Sequence, residues 1–447
     1  MHNNNQNSIE TILNKHHNNI ILEKYGRKFC ASPWNSLHEG PGGLVSTCCK
    51  TRKPIGWSKE NTFEQMYNSE HAKSVRSNIL KGILPENCKQ CSKMENEGFQ
   101  AANRIHGNNM SNLNDMEDLI ANTKSDGELL THKPYWLDLL WTNKCNFACI
   151  GCTPELSSFW NDNFSKEHAI LQGLPKDFWN KFENWDNGNT NKIDYIIKHS
   201  DTIRSIHLNG GEPWLQESTF ELLEEMLKRG LNKKIQIWSH TNGSITKSYK
   251  GVDIIFDYLV HWKGELCKIT MSNDGFGEKG NYVRYGYSDK KWLSTYNKIH
   301  DAGLKCSIQT CLGLFNSLSL KNIYSWYKDN CVSTQDGSLT LIYNDSINVQ
   351  LLHFVESLKE KFLNDIQDML NNKIGFVNWI PHYEKIIEYA KINNTNNDLQ
   401  KKNLINLHNG ITAFDAKRNL DRYKIFPELT ELFNIAQIYA NNKLLQS

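Results

Sequence analysis

Three closely spaced cysteines are the residues of this chain whose types and positions most clearly suggest chemistry. Cys145, Cys149 and Cys152 form a C-x3-C-x2-C run. Three thiolates on one short loop can hold three irons of a [4Fe–4S] cube and leave the fourth iron open to a small molecule. A zinc loop completed by a distant His or Cys uses the same residue types. The run therefore indicates a metal centre, either an open iron–sulfur cluster or a zinc site.

A second cysteine set lies upstream of the first. Cys30 and Cys48, with Gly43 between them, read C-x12-G-x4-C, and Cys88-x2-Cys91 adds a close pair. Four thiolates can close a [4Fe–4S] cluster completely, and they can also form a zinc ribbon. Cys49 follows Cys48 directly, so either of the two fits the pattern as a ligand.

Short apolar runs alternate with amphipathic helical patterns from about residue 135, which is typical of β/α units around a parallel sheet. The stretch Glu217–Gly230 is one such helical pattern and ends at its glycine. The predicted strands are Tyr135–Trp141, Arg204–Asn209, Lys234–His240, Cys267–Ser272, Leu304–Leu312 and Ser338–Asn344. After about Asn348 the chain is expected to be mainly helical.

Polar and glycine-rich motifs follow consecutive predicted strands. The cysteine run follows the first strand, at the carboxyl end where β/α-barrel enzymes place their chemistry. In Gly210-Gly211-Glu212-Pro213, after the second, the glycines permit close backbone approach, and the carboxylate can accept a hydrogen bond from an ammonium. Thr241-Asn242-Gly243 follows the third strand, and Ser272-Asn-Asp274-Gly follows the fourth. Each motif alone is typical of a turn. Because they follow consecutive strands in order, we expect them to belong to one site.

These motifs together resemble the radical SAM superfamily, in which the C-x3-C-x2-C run holds the cluster that binds S-adenosylmethionine. The resemblance implies a partial (β/α)6 TIM-type barrel. It also implies that Arg284 faces the methionyl carboxylate, for which a surface ion pair is the alternative. Many relatives carry an aromatic residue where this chain has Gly151, and Phe147 is a candidate substitute. The implied cofactor-binding residues are Gly210, Gly211, Glu212, Pro213, Asn242, Ser272, Asp274 and Arg284.

The upstream set resembles the twitch domain, a shortened SPASM domain that carries auxiliary clusters in radical SAM enzymes. A full SPASM pattern continues with two more cysteines, but Ser92–Glu97 contains none, so one auxiliary [4Fe–4S] cluster is implied. The twitch region would precede the barrel, as in one subgroup of these proteins. Further motifs that fit this subgroup are Phe29-Cys30-x2-Pro33-Trp34, Cys48-Cys49, Glu97-Gly98, Asp415-x2-Arg418 and Phe426-Pro427-Glu428-Leu429.

The resemblance implies reductive cleavage of S-adenosylmethionine to a 5′-deoxyadenosyl radical, which abstracts a hydrogen atom from a substrate. An electron donor such as flavodoxin or ferredoxin is an implied partner. Many SPASM and twitch enzymes modify ribosomally made peptides, so a peptide is the favoured substrate. Oxidation or epimerisation of a small sugar, alcohol or nucleotide is the alternative enzyme function. A metal-binding scaffold without catalysis is the non-enzyme alternative.

Domain boundaries follow from shifts in composition. We expect a flexible lead-in over 1–26, a twitch-like domain over 27–110, a linker or exposed helix within 111–133, a partial barrel over 134–347 and a helical region over 348–447. With 51 Lys and Arg against 49 Asp and Glu, the net charge of +2 gives no general reason to expect nucleic-acid or membrane binding. No secretory signal or long apolar run is present, so a cytoplasmic protein is expected.

Overall fold

The computed structural model of the chain describes residues 17–51, 53–96, 102–181, 183–188, 190–247, 250–331, 337–341, 355–391 and 397–444. Most of the lead-in, the Glu97-Gly98 motif and residues 342–344 of the sixth predicted strand lie outside these residues. Within the described part of the chain, no helix is long and apolar enough to cross a membrane.

Nine strands form one sheet, and two short strands form a separate pair. In chain order the strands are β1 Ser36–Glu39, β2 Leu44–Ser46, β3 Gly56–Trp57, β4 Trp136–Leu140, β5 Ala148–Cys149, β6 Ser205–Asn209, β7 Gln236–Thr241, β8 Cys267–Ser272, β9 Arg284–Tyr285, β10 Cys306–Leu312 and β11 Gly337–Leu341. The order in the sheet is β11-β10-β8-β7-β6-β4-β1-β2-β3, and β5 pairs with β9.

The six strands from β4 to β11 in this sheet are parallel and adjacent in chain order. They coincide with the six predicted strands to within about two residues wherever the chain is described, so the predicted α/β class is confirmed. Leu137, Ile206 and Ile237 of these strands are almost fully buried, as expected for a parallel sheet covered by helices. Closure of the strands into a partial barrel stays a prediction.

Helices cover the chain between and after the strands. In order they are α1 His17–Tyr25, α2 Ser32–Asn35, α3 Phe63–Tyr67, α4 Glu70–Leu80, α5 Lys89–Asn96, α6 Ala102–Asn109, α7 Leu113–Ala121, α8 Ser158–Leu171, α9 Thr190–Lys198, α10 Glu217–Lys228, α11 Gly277–Val283, α12 Asp289–Asp301, α13 Leu320–Asn330, α14 Glu356–Asn371, α15 Ile380–Lys391, α16 Asn397–Arg418, α17 Arg422–Ile425 and α18 Thr430–Leu444.

The cysteine-rich N-terminal region extends the parallel sheet. Strand β1 pairs in parallel with β4, with Leu37 opposite Leu137, and β2 then pairs antiparallel with β1. Both cysteine regions are therefore attached to one continuous hydrogen-bonded sheet, and their separation is set by strand pairing.

The segment expected as a linker or an exposed helix is a packed helix. Asn112 and Asp115 form a capping box at the start of α7, in which each side chain bonds to the other's backbone N–H. Met116 and Leu119 of α7 are buried. Because these apolar side chains recur at three-residue spacing, one face of α7 joins the core.

The C-terminal region is helical, as predicted, and α16 packs directly against α8. A methyl group at Gly410 of α16 would lie 2.5 Å from the Cα atom of Leu171 in α8. Only glycine permits this approach, so the C-terminal helices are held close to the helix that follows the cysteine run.

A buried ion pair connects the N-terminal region to the parallel sheet's helices. The Lys192 ammonium on α9 lies 2.6 Å from the Glu39 carboxylate on β1, with side-chain exposures of 6% and 1%. The Leu140 N–H donates to the other Glu39 oxygen over 3.3 Å. Burial raises the pKa of Glu39, whereas Lys192 lowers it, so the carboxylate depends on this partner to stay ionised.

We predict that Lys192→Met destabilises the chain by about 3–5 kcal/mol because it leaves an uncompensated carboxylate in the core. The Glu39→Gln/Lys192→Met double variant should recover much of this loss, since it removes both charges. Urea unfolding followed by tryptophan fluorescence measures the free energies. The matched control is Lys228→Met, which breaks an exposed pair with Glu224 and should cost about 0.5 kcal/mol or less. Equal losses in the two single variants would contradict the assigned role.

Candidate functional site

The loop between β4 and α8 carries the three clustered cysteines and is fixed by the start of the next helix. Four side chains within residues 157–168 form hydrogen bonds to the backbone of this loop. The contacts are Ser157 Oγ to Phe147 O (2.7 Å), Ser158 Oγ to Cys145 N (3.1 Å), Trp160 Nε1 to Cys149 O (2.7 Å) and His168 Nε2 to Cys152 O (2.9 Å). The loop is therefore positioned without using any of its cysteine side chains.

Burial sets the protonation of these thiols. Burial raises the pKa of Cys149 to about 12, and it raises the pKa values of Cys145 and Cys152 as well. The thiols therefore hold their protons at neutral pH when no metal is bound. Because thiolates are the ligands, metal binding at this loop must release protons.

The glycine pair after β6 lies directly against the cysteine loop. The Gly211 N–H donates to Thr142 O over 3.3 Å, and the Glu212 N–H donates to Lys144 O over 2.8 Å. A methyl group at Gly211 would lie 2.4 Å from Lys144 O, and Gly210 has a φ of +123°. Both glycines are thus required for the backbone contact that holds the start of the loop.

The Glu212 carboxylate joins the ends of β6 and β7. It is 1% exposed and accepts hydrogen bonds from Thr241 Oγ1 (2.8 Å), the Asn242 N–H (2.6 Å) and the Trp214 N–H (3.1 Å). Burial raises the pKa of Glu212 to about 7, and these hydrogen bonds oppose the rise. Both oxygens are engaged by the chain itself, so a contact to a ligand's ammonium stays a prediction.

The turn after β7 contacts the middle of the cysteine run. The Asn242 side-chain amide donates to the Asn146 side-chain oxygen over 3.0 Å, and Asn146 in turn donates to Ser244 Oγ over 2.9 Å. Asn146 directly follows Cys145. Asn242 therefore lies beside the cysteine loop, where the resemblance places it.

Arg284 is brought to the cysteine loop by strand pairing. Cys149 in β5 is paired with Arg284 in β9, and Arg284 Nη1 lies 3.8 Å from Cys149 Sγ. Arg284 Nε donates to Asp274 over 2.7 Å, and the other Asp274 oxygen accepts from the Cys311 N–H over 2.7 Å. Burial alone would lower the pKa of Arg284, but Asp274 and Cys149 raise it above its usual range. The side chain is 12% exposed, so this is a buried ion pair and not the surface pair considered above.

Two further predicted residues lie at the same edge. Pro213 is buried and begins a 3-10 turn directly after Glu212. Ser272 ends β8, and its carbonyl oxygen accepts from Trp292 Nε1 over 3.2 Å. Neither has a described contact that links its side chain to the three cysteines.

The four upstream cysteines line one cavity. Its walls include Cys30, Cys48, Cys88 and Cys91, together with Arg104. Cys49 is exposed and is not part of this lining, so the placement favours Cys48 as the ligand. Burial raises the pKa of Cys88 to about 12 and that of Cys91 to about 11, while Arg104 lowers both.

Arg104 is a buried cation at the wall of this cavity. Its side chain is 3% exposed, pairs with Glu95 at 2.9 Å and donates to Arg27 O at 2.7 Å. The cation thus offsets part of the negative charge that four thiolates would bring to the cavity.

The spacing of the cysteines bears on the zinc alternative. Among the described residues, no group of three or more His, Cys, Asp or Glu side chains is arranged to hold a single metal ion. A tetrahedral zinc ion requires all its ligands within about 2.3 Å of one point, whereas a cube of four irons keeps its thiolates farther apart. The zinc alternative and the cluster alternative are therefore separated by metal analysis of the chain.

A polar network on one face of the sheet is a feature that the strand motifs did not single out. Asp138 accepts from His38 Nδ1 at 2.6 Å and from the Asn209 amide at 2.6 Å, and it lies 3.3 Å from His207 Nδ1. His207 Nε2 is 2.7 Å from His240 Nδ1. Asp138 and His207 each lie between apolar neighbours in a predicted strand, which is the one signal of this network in the sequence. We call these five residues the polar network.

Cysteines in the later strands differ in burial. Cys267 is buried, whereas Cys306 and Cys311 are half-buried.

Comparison with known proteins identifies the upstream region. Residues 30–92 match the SPASM family, an iron–sulfur cluster-binding domain. The matched segment contains Cys30, Cys48, Cys88 and Cys91 and ends before β4. The match confirms that this segment resembles a SPASM iron–sulfur cluster-binding domain. No curated protein matches.

Comparison with solved structures finds distant similarities. The protein anSMEcpe with bound AdoMet has a TM-score of 0.37 and 17% identity, over 53% of this chain and 61% of that chain. Streptococcus suis SuiB bound to precursor peptide SuiA has a TM-score of 0.37 and 13% identity, over 69% and 64% of the two chains. TYW1 with a lysine-pyruvate adduct has a TM-score of 0.27 and 15% identity, over 51% and 71%. The match thus spans about three fifths of the first of these proteins.

We predict that Gly211→Ala lowers the iron content of the chain by about half, because the new methyl group displaces the cysteine loop and leaves the SPASM-type cavity intact. Iron analysis after anaerobic reconstitution measures this loss. Gly40→Ala is the matched control, since its methyl group would meet only Leu44 at 3.5 Å or more. Full iron loading in the Gly211 variant would show that the glycine contact does not hold the loop.

Proposed function

We propose that this chain, whose residues 30–92 match an iron–sulfur cluster-binding SPASM domain, is a radical SAM enzyme with two [4Fe–4S] clusters. One cluster binds S-adenosylmethionine and has Cys145, Cys149 and Cys152 as its ligands. The other is an auxiliary cluster with Cys30, Cys48, Cys88 and Cys91 as its ligands. The reaction class is removal of a hydrogen atom from a substrate carbon by a 5′-deoxyadenosyl radical.

The observation that carries this proposal is the convergence of strand ends on the cysteine loop. Gly211 contacts the loop's backbone, Asn242 bonds to Asn146 within it, and Arg284 lies 3.8 Å from Cys149 Sγ. A structural zinc loop needs a fourth ligand, but here a guanidinium lies beside the Cys149 thiol. A cation in that place suits an anionic ligand such as a carboxylate.

The cofactors supply the radical chemistry when they are bound. The residues of the chain bind and orient the cofactors. Arg284 offers the methionyl carboxylate a planar fork of donors, and Asp274 fixes that fork through Nε. The backbone of Gly210 and Gly211 lies close to the start of the cysteine loop because neither residue carries a side chain. The buried Glu212 keeps the β6 and β7 ends together, so the edge of the site holds its shape.

The auxiliary cavity supports an electron-transfer role. All four of its thiols are available as ligands, so a cluster there would have no open iron for a substrate. The pairing of β1 with β4 joins both cysteine regions to one sheet, which supports this role. Transfer of an electron to or from the auxiliary cluster is the role we propose, with flavodoxin or ferredoxin as the external donor.

A ribosomally made peptide is the proposed substrate, because many SPASM-type enzymes modify such peptides. The polar network, which lies on one face of the sheet, is the set of hydrogen-bonding groups that we propose for its recognition. The second candidate is oxidation or epimerisation of a small alcohol, sugar or nucleotide, and the same network favours it, since imidazole and carboxylate groups suit hydroxyl groups equally well.

We predict that the reconstituted chain binds about eight irons and releases 5′-deoxyadenosine when S-adenosylmethionine and dithionite are added. The Cys145→Ala/Cys149→Ala/Cys152→Ala variant should bind about four irons and release none, because it lacks the cluster that binds S-adenosylmethionine. Metal analysis and liquid chromatography measure the two quantities.

The matched control is Cys88→Ala/Cys91→Ala, which should also lose about four irons yet still release 5′-deoxyadenosine without substrate. Zinc as the main metal in the wild-type chain would contradict both clusters. Nucleoside release by the triple variant would contradict the assignment of its ligands.

Substrate class can be tested with peptides encoded beside the gene. For a peptide-modifying enzyme, one such peptide should accelerate 5′-deoxyadenosine release several-fold and change in mass. A scrambled peptide of the same composition is the control. If no neighbouring peptide is modified but a sugar, alcohol or nucleotide accelerates the release, the second candidate is correct.

A further inference from the structure

The segment that carries Arg284 contacts the C-terminal helices. Tyr282, two residues before Arg284, is fully buried at the end of α11, and its hydroxyl donates to Asp415 of α16 over 2.8 Å. Val283 O accepts from the Ile150 N–H over 2.8 Å, so the other side of this segment is attached to the cysteine loop. Segment 282–285 thus lies between the C-terminal helices and the three cysteines.

Arg418, one turn after Asp415, contacts the same segment. Arg418 Nη1 donates to Tyr282 O over 3.2 Å. Its guanidinium carbon lies 4.5 Å from the centre of the Tyr282 ring and 5.1 Å from that of Tyr285. Its side chain is only 2% exposed. Arg418 therefore stacks on the residues that flank Val283 and Arg284.

Asp415 is itself fixed by a third residue. Arg422 Nη1 donates to the second Asp415 oxygen over 2.7 Å. The Phe426 ring packs edge-on against Tyr282 at 5.0 Å, and Glu428 pairs with Lys279 of α11 at 2.5 Å. The D-x2-R and F-P-E-L motifs of the sequence thus meet on one short segment, although they are more than 130 residues away from it.

We infer that Asp415 and Arg418 are positioning residues for S-adenosylmethionine, which hold Tyr282 and thereby set the place of the Arg284 guanidinium beside Cys149. This inference rests on the proposed function and assigns a task to the C-terminal region. Neither residue has a described contact with the three thiols. Asp415 acts through the Tyr282 hydroxyl, and Arg418 acts through the Tyr282 carbonyl and the two tyrosine rings.

The contacts favour this role over a purely structural one. Burying an aspartate and two arginines is costly, and apolar residues of similar size would stabilise a helix contact at least as well. The charged group instead fixes one hydroxyl, one carbonyl and two rings in a single arrangement. Since β5 and β9 are only two residues long, they have little pairing of their own to fix Arg284.

The test compares three conservative variants in the full reconstituted chain: Tyr282→Phe, Asp415→Asn and Arg418→Lys. Each should keep its iron content and bind S-adenosylmethionine about tenfold or more weakly, because the lost hydrogen bonds to charged groups release Arg284. Equilibrium dialysis with labelled S-adenosylmethionine gives the dissociation constant. Iron analysis, thermal melting and the EPR change of the reduced cluster on S-adenosylmethionine addition are read in parallel.

Asp368→Asn is the matched control. Asp368 lies on another C-terminal helix, α14, and forms an exposed pair with Lys321. It should bind S-adenosylmethionine as the wild type does. Tyr282→Phe removes a single oxygen atom and so tests the inference even if Asp415→Asn does not fold.

Unchanged affinity and an unchanged EPR response in Tyr282→Phe and Arg418→Lys, with lower melting temperatures alone, would overturn the inference. Loss of iron in place of affinity would overturn it too. A wild-type chain that binds no S-adenosylmethionine would instead refute the proposed function, so the two failures are distinguishable.

Discussion

The antiparallel pairing of Cys149 with Arg284 is the contact on which the rest of the site depends. It involves two residues on each side, which is too little to be stable alone. Helix α8 fixes the cysteine side through Trp160 and His168, and Asp274 fixes the arginine side. A thiol and a guanidinium are thereby brought within 3.8 Å in a buried setting. The thiols can bind a metal and the Nη atoms of Arg284 can donate to an anion, which is the basis of our proposal that the site holds a cluster with an anionic ligand.

The relation between the two cysteine sets follows from a different constraint. Because β1 pairs with β4, the SPASM-type region is part of the sheet that carries the first site. The buried Glu39–Lys192 pair reinforces this junction, and Met116 and Leu119 of α7 are buried in the core. Electron transfer depends on the distance between centres, so this junction bears directly on the proposed role of the auxiliary cluster.

Much of the fold could be predicted because its signals are local. The six parallel strands are apolar runs that end in glycine and polar turns, and each motif lies within a few residues of its strand. The pairing of β1 with β4 joins residues 100 positions apart and leaves no local pattern. Strands β5 and β9 are too short for any periodicity to reveal them. The polar network needed the sheet register, since Asp138, His207 and His240 become neighbours only when β4, β6 and β7 are aligned. The Glu212 carboxylate was predicted from its motif to face a ligand, whereas its engagement by Thr241 and Asn242 depends on the adjacent strand end.

The most direct test of the account is a Mössbauer spectrum of the chain reconstituted with ⁵⁷Fe, recorded with and without S-adenosylmethionine. The account predicts two [4Fe–4S] clusters, of which one has a single iron site whose signal shifts when S-adenosylmethionine is added, while the other cluster is unchanged. The account would be contradicted by two clusters whose spectra are both unchanged by S-adenosylmethionine, or by a chain that takes up zinc in place of iron.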